Sequence, residues 1–387
     1  MFALLYFSQG AIMSFFTALN ALYLQSFGLG MNQVGLIGTI AMIPFVVKIF
    51  LGMLSDRFNF LGLGHRKPYI LIGLLIQALC LAAAPYINPG NNFLWYAGLA
   101  LTMMMGMALY DTCTDGLALD STPPEEEARI QGFMVGGRAA GMLAISSLLG
   151  VLVENISWSA GFYFLAMVTL LPLPFVIMSR EPERNVDSRF EWRAFRAFTR
   201  RNVIALGILG ALYSLIIYGA NQLVNPFLAG IFDISLSTAG FIATLLGAGI
   251  VVGGLMGGKI TSVIGQKKSV RIAVLVSMLS IGMLAFINSV WLSWTLVLIF
   301  GAAFGFYETV YFAVSMRITD GRIAATMFSI LMAVANIGTG IGLGITGILS
   351  ESVGFRTTFI ILAVLNVFAL PLNSLIFGSE KEKVFAG

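Results

Sequence analysis

The sequence predicts an all-α membrane protein with twelve transmembrane helices in two pseudo-symmetric six-helix bundles. Three observations carry the prediction. The 387 residues are 58% hydrophobic and only 10% charged, whereas soluble domains carry about 25% charged residues. Water cannot host this much apolar surface, so the solvent is lipid. The apolar residues fall into long runs, each near the ~20 residues that cross ~30 Å of hydrocarbon. A charged, tightly bent connection between two such runs, GMLSDRFNFLGLGHRKPY at 52–69, has a counterpart at 257–268, GGKITSVIGQKK, as a duplicated chain would.

In chain order the runs are 2–25, 33–55, 68–87, 92–119, 128–153, 158–178, 202–229, 237–264, 268–288, 291–317, 323–349 and 356–377. Backbone groups in hydrocarbon have no water to bond, so each run is expected to be a helix. The first carries the neutral polar residues Gln9, Ser14 and Asn20, and the second carries Lys48. The fourth holds Asp111 and Asp115, and the fifth Arg138. The connection 179–201 is the longest and has seven arginines. Arg189, Arg193, Arg196 and Arg200 recur there at helical spacing with Phe190, Phe195 and Phe198 between them, which suits a short helix on an anionic leaflet or an ordinary basic linker. The seventh run is rich in Tyr213, Tyr218, Asn221, Gln222 and Asn225, and the tenth holds Glu308. The glycines of 240–258 and those of the eleventh run (Gly338, Gly340, Gly342, Gly344) suit close helix packing, since no strand precedes them and no GK[ST] ends them.

Orientation follows from the cations. Alternate connections, with the adjoining helix ends and the tail, hold 19 of the 22 Lys and Arg. The positive-inside rule then puts both termini in the cytoplasm of a bacterial inner (plasma) membrane. The opposite loops are too short for a receptor or enzyme domain, and the first run starts at Phe2 without the basic segment or cleavage site of a removable signal. The expected organisation is an N-terminal six-helix bundle at 1–178, a cytoplasmic Arg-rich linker at 179–201, a C-terminal six-helix bundle at 202–378 and a cytoplasmic tail at 379–387.

The same composition excludes other classes. The net charge is only +4, and no basic patch is mixed with stacking aromatics, so nucleic acid is not an expected partner. Cys80 and Cys113 lie inside apolar runs without a CxxC spacing, so no metal, cofactor or disulfide framework is expected. The one histidine, His65, sits in a loop. No nucleophile–base pair and no ATP motif appear, so neither an enzyme nor a primary pump is expected.

The halves also correspond in detail. Tyr110-Asp111-Thr112 in the fourth run matches Tyr307-Glu308-Thr309 in the tenth, and GLIGTI from Gly35 matches GFIATL from Gly240. Repeated halves in a membrane protein are the mark of alternating access about a central site. Twelve runs, the repeat, the long middle loop and GxxxDR…HRK after the second run together resemble the major facilitator superfamily over essentially the whole chain. Two departures stand out. Extra residues, Asn59 to Leu63, precede the basic cluster, and the second copy has Thr261 or Ser262 where the acid would be. The extended loop, followed by YDTCTDGLALDSTPPEEEARIQG, is similar to the branch containing muropeptide permeases, acetyl-CoA transporters and folate-biopterin transporters. It also resembles bacteriochlorophyll-delivery proteins. The paired acids of the fourth run favour the solute-transporter side.

Five ionisable residues lie within runs: Lys48, Asp111, Asp115, Arg138 and Glu308. A charge at the bilayer centre costs at least ~2.5 kcal/mol, so such residues face protein or water. Lys48, Asp111, Arg138 and Glu308 each lie eight or nine residues from a charged helix end, roughly 12–14 Å deep at ~1.5 Å per residue. Asp115 is one turn from Asp111 on the same face. Lys48 and Arg138 either neutralise Asp111 and Asp115 or bind a solute's charge. Glu308 has no cation at its depth in its own half and is the first candidate proton carrier, with Asp111 and Asp115 beside it. The resemblance places the first, fourth, seventh and tenth runs around the cavity. Candidate solute contacts are Arg138, Lys48, Asn20, Tyr110, Asn221, Gln222 and Tyr307, several of which are equally able to make interhelical bonds. Asp56, Arg57 and Arg66 form a candidate cytoplasmic gate, pairing with acids across the bundle seam, whereas Lys67 is read as a plain positive-inside residue.

The expected function is proton-coupled secondary transport of a polar organic solute by a monomer in the lipid bilayer. The alternative is a membrane carrier or assembly factor delivering a tetrapyrrole pigment or lipid to other membrane proteins, which an absorbance spectrum of the purified protein would expose.

Overall fold

A computed structural model describes residues 1–59, 64–123, 126–179, 181, 199–318 and 324–378. The Arg-rich helix expected within 179–201, the tail at 379–387 and the side chain of Asp56 lie outside that description. Among the described residues every regular element is a helix: α1 (Phe2–Ala18), α2 (Asn20–Gln25), α3 (Met31–Arg57), α4 (Lys67–Ala83), α5 (Phe93–Ser121), α6 (Glu127–Asn155), α7 (Trp158–Leu170), α8 (Leu173–Met178), α9 (Arg201–Phe232), α10 (Leu236–Ile264), α11 (Gln266–Leu284), α12 (Val290–Ile318), α13 (Ala324–Val353), α14 (Phe355–Leu365) and α15 (Ala369–Phe377). Short 3-10 turns follow α4 and α14.

Ten of the expected runs are helices long and apolar enough to cross a bilayer. The other two are α1, with 17 residues, and α11, whose first turns carry Lys267, Lys268 and Arg271. Three runs are interrupted, each for a local reason. In the first, Ser14 and Thr17 bond back to the carbonyls of Ala11 and Met13, and the backbone leaves helical geometry at Leu19, with φ −123°. In the sixth, the break falls at Leu171 and Pro172, and proline cannot donate to the ladder. In the last, the Asn366 amide donates to the Leu362 carbonyl at 3.2 Å and a 3-10 turn follows.

By their contacts the helices group into two compact units, Met1–Arg189 with Ala229–Thr244, and Phe190–Leu228 with Leu245–Gly387. In the first unit α1 packs on α6 and α7, and α5 packs on α3 and α4. Lipid gives helices no hydrophobic reason to associate, so backbones approach through small residues. A Cβ at Gly10, Gly137 or Gly141 would sit 2.1–2.2 Å from a backbone oxygen across α1 and α6, and Gly73 and Gly106 play the same part between α4 and α5. In the second unit Gly249, Gly253, Gly301 and Gly305 join α10 to α12, while Gly338 and Gly342 join α13 to α9. Of the glycines expected to serve helix packing, Gly249, Gly253, Gly254, Gly257, Gly338 and Gly342 do so, whereas a Cβ at Gly258 would meet open space. The packed glycines set the register of the helices that carry the polar residues.

Candidate functional site

In the first unit the polar residues of four helices converge. Asp111 on α5 is 5% exposed. Its two carboxylate oxygens are taken separately: Gln9 Nε2 on α1 donates to Oδ1 at 2.7 Å, and Lys48 Nζ on α3 lies 3.4 Å from Oδ2. One turn on, Asp115 accepts from the Tyr6 hydroxyl of α1. The charges of Asp111, Lys48 and Arg138 also bear on Asp115. The close α1–α6 contact explains how Arg138 comes to this cluster, because its backbone carbonyl lies against Gly10, next to Gln9. Two acids thus sit among two cations, with a tyrosine and an amide from α1. Breaking one partner of such a set leaves a buried charge uncompensated. Tyr110 is 1% exposed, and its hydroxyl has no protein partner.

The second unit holds a carboxylate among tyrosines. Tyr218 on α9 donates to Glu308 Oε1 on α12 at 3.2 Å. The Tyr213 ring lies 4.7 Å from that of Tyr307 and 5.6 Å from that of Tyr311, and Tyr218 meets Phe304 edge-on at 5.1 Å. Tyr213 also feels the Glu308 charge. The hydroxyls of Tyr213 and Tyr307 are buried without a protein partner. Gly210 makes this cluster possible, since a Cβ there would fall 2.1 Å from the Tyr311 hydroxyl. The repeat seen in the sequence has a packing basis. Thr112 beside Asp111 rests on Gly52 of α3, and Thr309 beside Glu308 rests on Gly254 and Gly257 of α10.

The remaining candidate contacts are placed less centrally. Gln222 donates its amide to the Leu343 carbonyl at 3.0 Å and to Thr346 Oγ1 at 3.3 Å, an α9–α13 link. Asn221 is buried on α9. Asn20 is buried at the α1–α2 break, with its carbonyl oxygen unpartnered.

The hairpin after α3 is more ordered than a solvated turn. Arg57 is exposed, over the ring of Phe58 at 5.7 Å. Arg66 is only 6% exposed. Within its own unit, Nη1 donates to Ser55 Oγ at 2.6 Å and Nε to Asp120 Oδ2 at 3.3 Å. Its guanidinium fills the place a side chain at Gly116 would take, 2.6 Å from that Cβ. The GLALD stretch of α5 therefore supplies a gap and, one turn later, a counter-ion. Lys67 Nζ donates to the carbonyls of Ile177 and Ser179, so it caps the end of α8 as well as obeying the positive-inside rule.

Sequence reasoning missed Glu181 here. Its carboxylate accepts the backbone N–H groups of His65 at 2.7 Å, Arg66 at 2.9 Å and Lys67 at 3.0 Å, the unsatisfied donors of the α4 N-terminus. Gly64, with φ +117°, lets the chain turn there, and a Cβ would strike that carboxylate. No local signal singled it out, since it is one of four acids in 179–201 and lies 114 positions from Lys67. Tyr6 was missed too, although it lies three residues before Gln9 on one helix face. Replacing Glu181 by alanine should cost about 1–2 kcal/mol of local stability. Tryptic cleavage between Arg57 and Lys67 should then accelerate roughly 5–30-fold, and Glu181→Gln, which retains an acceptor, should fall between.

Known proteins agree with this architecture. A protein described as the anhydromuropeptide permease of Escherichia coli K12 is 27% identical over 227 residues, covering 55% of this chain and 46% of that protein. The sialic acid transporter NanX of the same organism is 22% identical over 268 residues, covering 66% and 62%. The matched stretch thus spans about half to three fifths of these relatives. The crystal structure of the nucleoside transporter NupG superposes with a TM-score of 0.80 over 97% of this chain and 98% of that one, at 16% identity, which speaks to the fold alone. The sequence pattern of the Major Facilitator Superfamily matches residues 2–224 and 206–384, so from end to end this multi-pass membrane protein belongs to that superfamily.

Proposed function

We propose that the chain is a secondary active transporter that moves a polar organic solute by alternating access, driven by protons. Its working parts are six-helix bundles at 1–178 and 202–378, a linker at 179–201 and a tail at 379–387, with both termini on the cytoplasmic side of a bacterial inner membrane. It acts as a monomer. One observation carries the reading: in each half an acid on the fourth span is held by a polar side chain from the first span, Gln9 on Asp111 and Tyr218 on Glu308. Uncompensated polar groups are costly in lipid and persist where they work.

In this reading Glu308, Asp111 and Asp115 exchange protons. Arg138 and Lys48 contribute positive charge to an anionic solute, which displaces Lys48 from Asp111 as it binds. Tyr110 and Tyr307 offer hydroxyls that have no protein partner, and Asn20, Asn221 and Gln222 add polar contacts. Asp56, Arg57 and Arg66 stabilise the cytoplasmic side. Relatives that carry anhydromuropeptides and sialic acid suggest acidic amino sugars as first probes.

The test is uptake of labelled sialic acid, N-acetylglucosaminyl-anhydromuropeptide and biopterin into proteoliposomes, with and without an inward proton gradient. We expect one probe to accumulate above its outside concentration only with the gradient. Accumulation that ignores the gradient would remove the proton role, and an absorbance band from bound pigment would favour a carrier instead.

A further inference from the structure

At the face opposite the N-terminus, α9 and α10 are joined by a turn in which Asp233 is left-handed, with φ 51°. The segment Ala229–Thr244 groups with the first unit, whereas α9 up to Leu228 and α10 from Leu245 group with the second. Both helices run unbroken through these points. Several contacts hold the segment to α6, among them side-chain hydrogen bonds from Ser235 and Ser237 to Glu154. The Glu154 carboxylate accepts the Ser237 N–H at 2.6 Å. Gly150 and Gly240 cross so closely that a Cβ on either would lie 2.5 Å from a backbone oxygen of the other helix. Thr244 Oγ1 donates to the Leu143 carbonyl at 3.0 Å.

Four N–H groups at a helix start need acceptors. Ser235 Oγ, at the start of α10, accepts one, from Thr238 at 3.2 Å. A carboxylate from another helix accepts the next, adding a negative charge at the positive end of the dipole.

We propose that Glu154 and the first turn of α10 form a releasable clasp, which must part for this face of the protein to open. Its construction suits release. Glu154 is exposed, so water can replace it at the Ser237 N–H. The Gly150–Gly240 crossing brings smooth backbones together without interlocked side chains. The clasp operates whatever solute is carried and whether or not protons are coupled.

The test is maleimide labelling of a Ser146→Cys variant, purified in detergent. Ser146 is 2% exposed, and its carbonyl lies against Gly240, so labelling requires the clasp to open. Cys80 and Cys113 are buried and provide the blank. Adding Glu154→Ala should raise the labelling rate about fivefold, less than bonds to a charged acceptor give when buried, because water screens this exposed site. Ser237→Pro deletes the donated N–H together with the Ser237 hydroxyl, both of which bond the Glu154 carboxylate, in a first helical turn where proline is tolerated, and should raise the rate similarly. The two together should do no more than either, since they remove one interaction. If one variant fails to fold, the other still decides. Rates unchanged by either variant, a rise with Glu154→Ala alone, or additive rises would each overturn the clasp.

Discussion

Glu308→Gln is expected to abolish proton-driven accumulation while leaving the fold and downhill exchange intact. Glutamine matches glutamate in shape and retains an oxygen to accept from the Tyr218 hydroxyl, which bonds Glu308 at 3.2 Å. It removes only the ability to take and release a proton. One pH unit is worth about 1.4 kcal/mol per proton, or roughly tenfold, so under the proposed coupling the unaltered protein would concentrate a solute about tenfold per coupled proton and pH unit. The variant should level at equal concentrations inside and out, with exchange of preloaded solute little changed. Counterflow measured beside gradient-driven uptake separates these results. Full accumulation by Glu308→Gln would transfer the proton role to Asp111 and Asp115, whose surroundings already include Lys48 and Arg138.

The largest structural effect is expected from Gly305→Ala. An added Cβ there lies 1.9 Å from the Ile250 carbonyl oxygen, and that oxygen belongs to a helix backbone that cannot rotate aside. Helices α10 and α12 must separate, at about 1–3 kcal/mol for overpacking. The displaced stretch includes Tyr307, Glu308 and Thr309, so activity should fall with stability. Gly258→Ala is the control on α10, with open space where its Cβ would go. It should be neutral or stabilising by roughly 0.5–1 kcal/mol, as alanine is in a helix. A thermal-unfolding midpoint several degrees lower for Gly305→Ala, with no fall for Gly258→Ala, is the expected pair of results. Equal midpoints would mean that the α10–α12 contact is loose.

The helices were legible in the sequence because hydrocarbon leaves the backbone one solution, so run lengths translate almost directly into elements. The acids were legible for a related reason: a charge in a lipid-embedded run must have a purpose, and Asp111, Asp115 and Glu308 stood out against their neighbours. The repeat was legible in Tyr110-Asp111-Thr112 and Tyr307-Glu308-Thr309. The Lys48–Asp111 pair was among the expected alternatives, but the neutral partners were not, because the residues bonded to these acids are ordinary in composition and distant in the chain. Tyr6 and Asp115 are separated by 109 positions, Gln9 and Asp111 by 102, and Tyr218 and Glu308 by 90.

Which side of a helix a polar residue faces depends on how closely two backbones approach, and that depends on glycines meeting across an interface. Arg66 shows the consequence. Its charge and position suggested a cytoplasmic gate, but the gap at Gly116 and the carboxylate of Asp120, which hold its guanidinium, could not be read from the sequence. Glu181 could be read as one more charge in a linker until folding brought it to three backbone N–H groups of α4. The chain's own composition determined that it lies in lipid as helices and that a few charges are buried there. Tertiary structure alone decided which of those charges touch, because side-chain pairing is a property of interhelical distance and rotation, and neither is encoded locally.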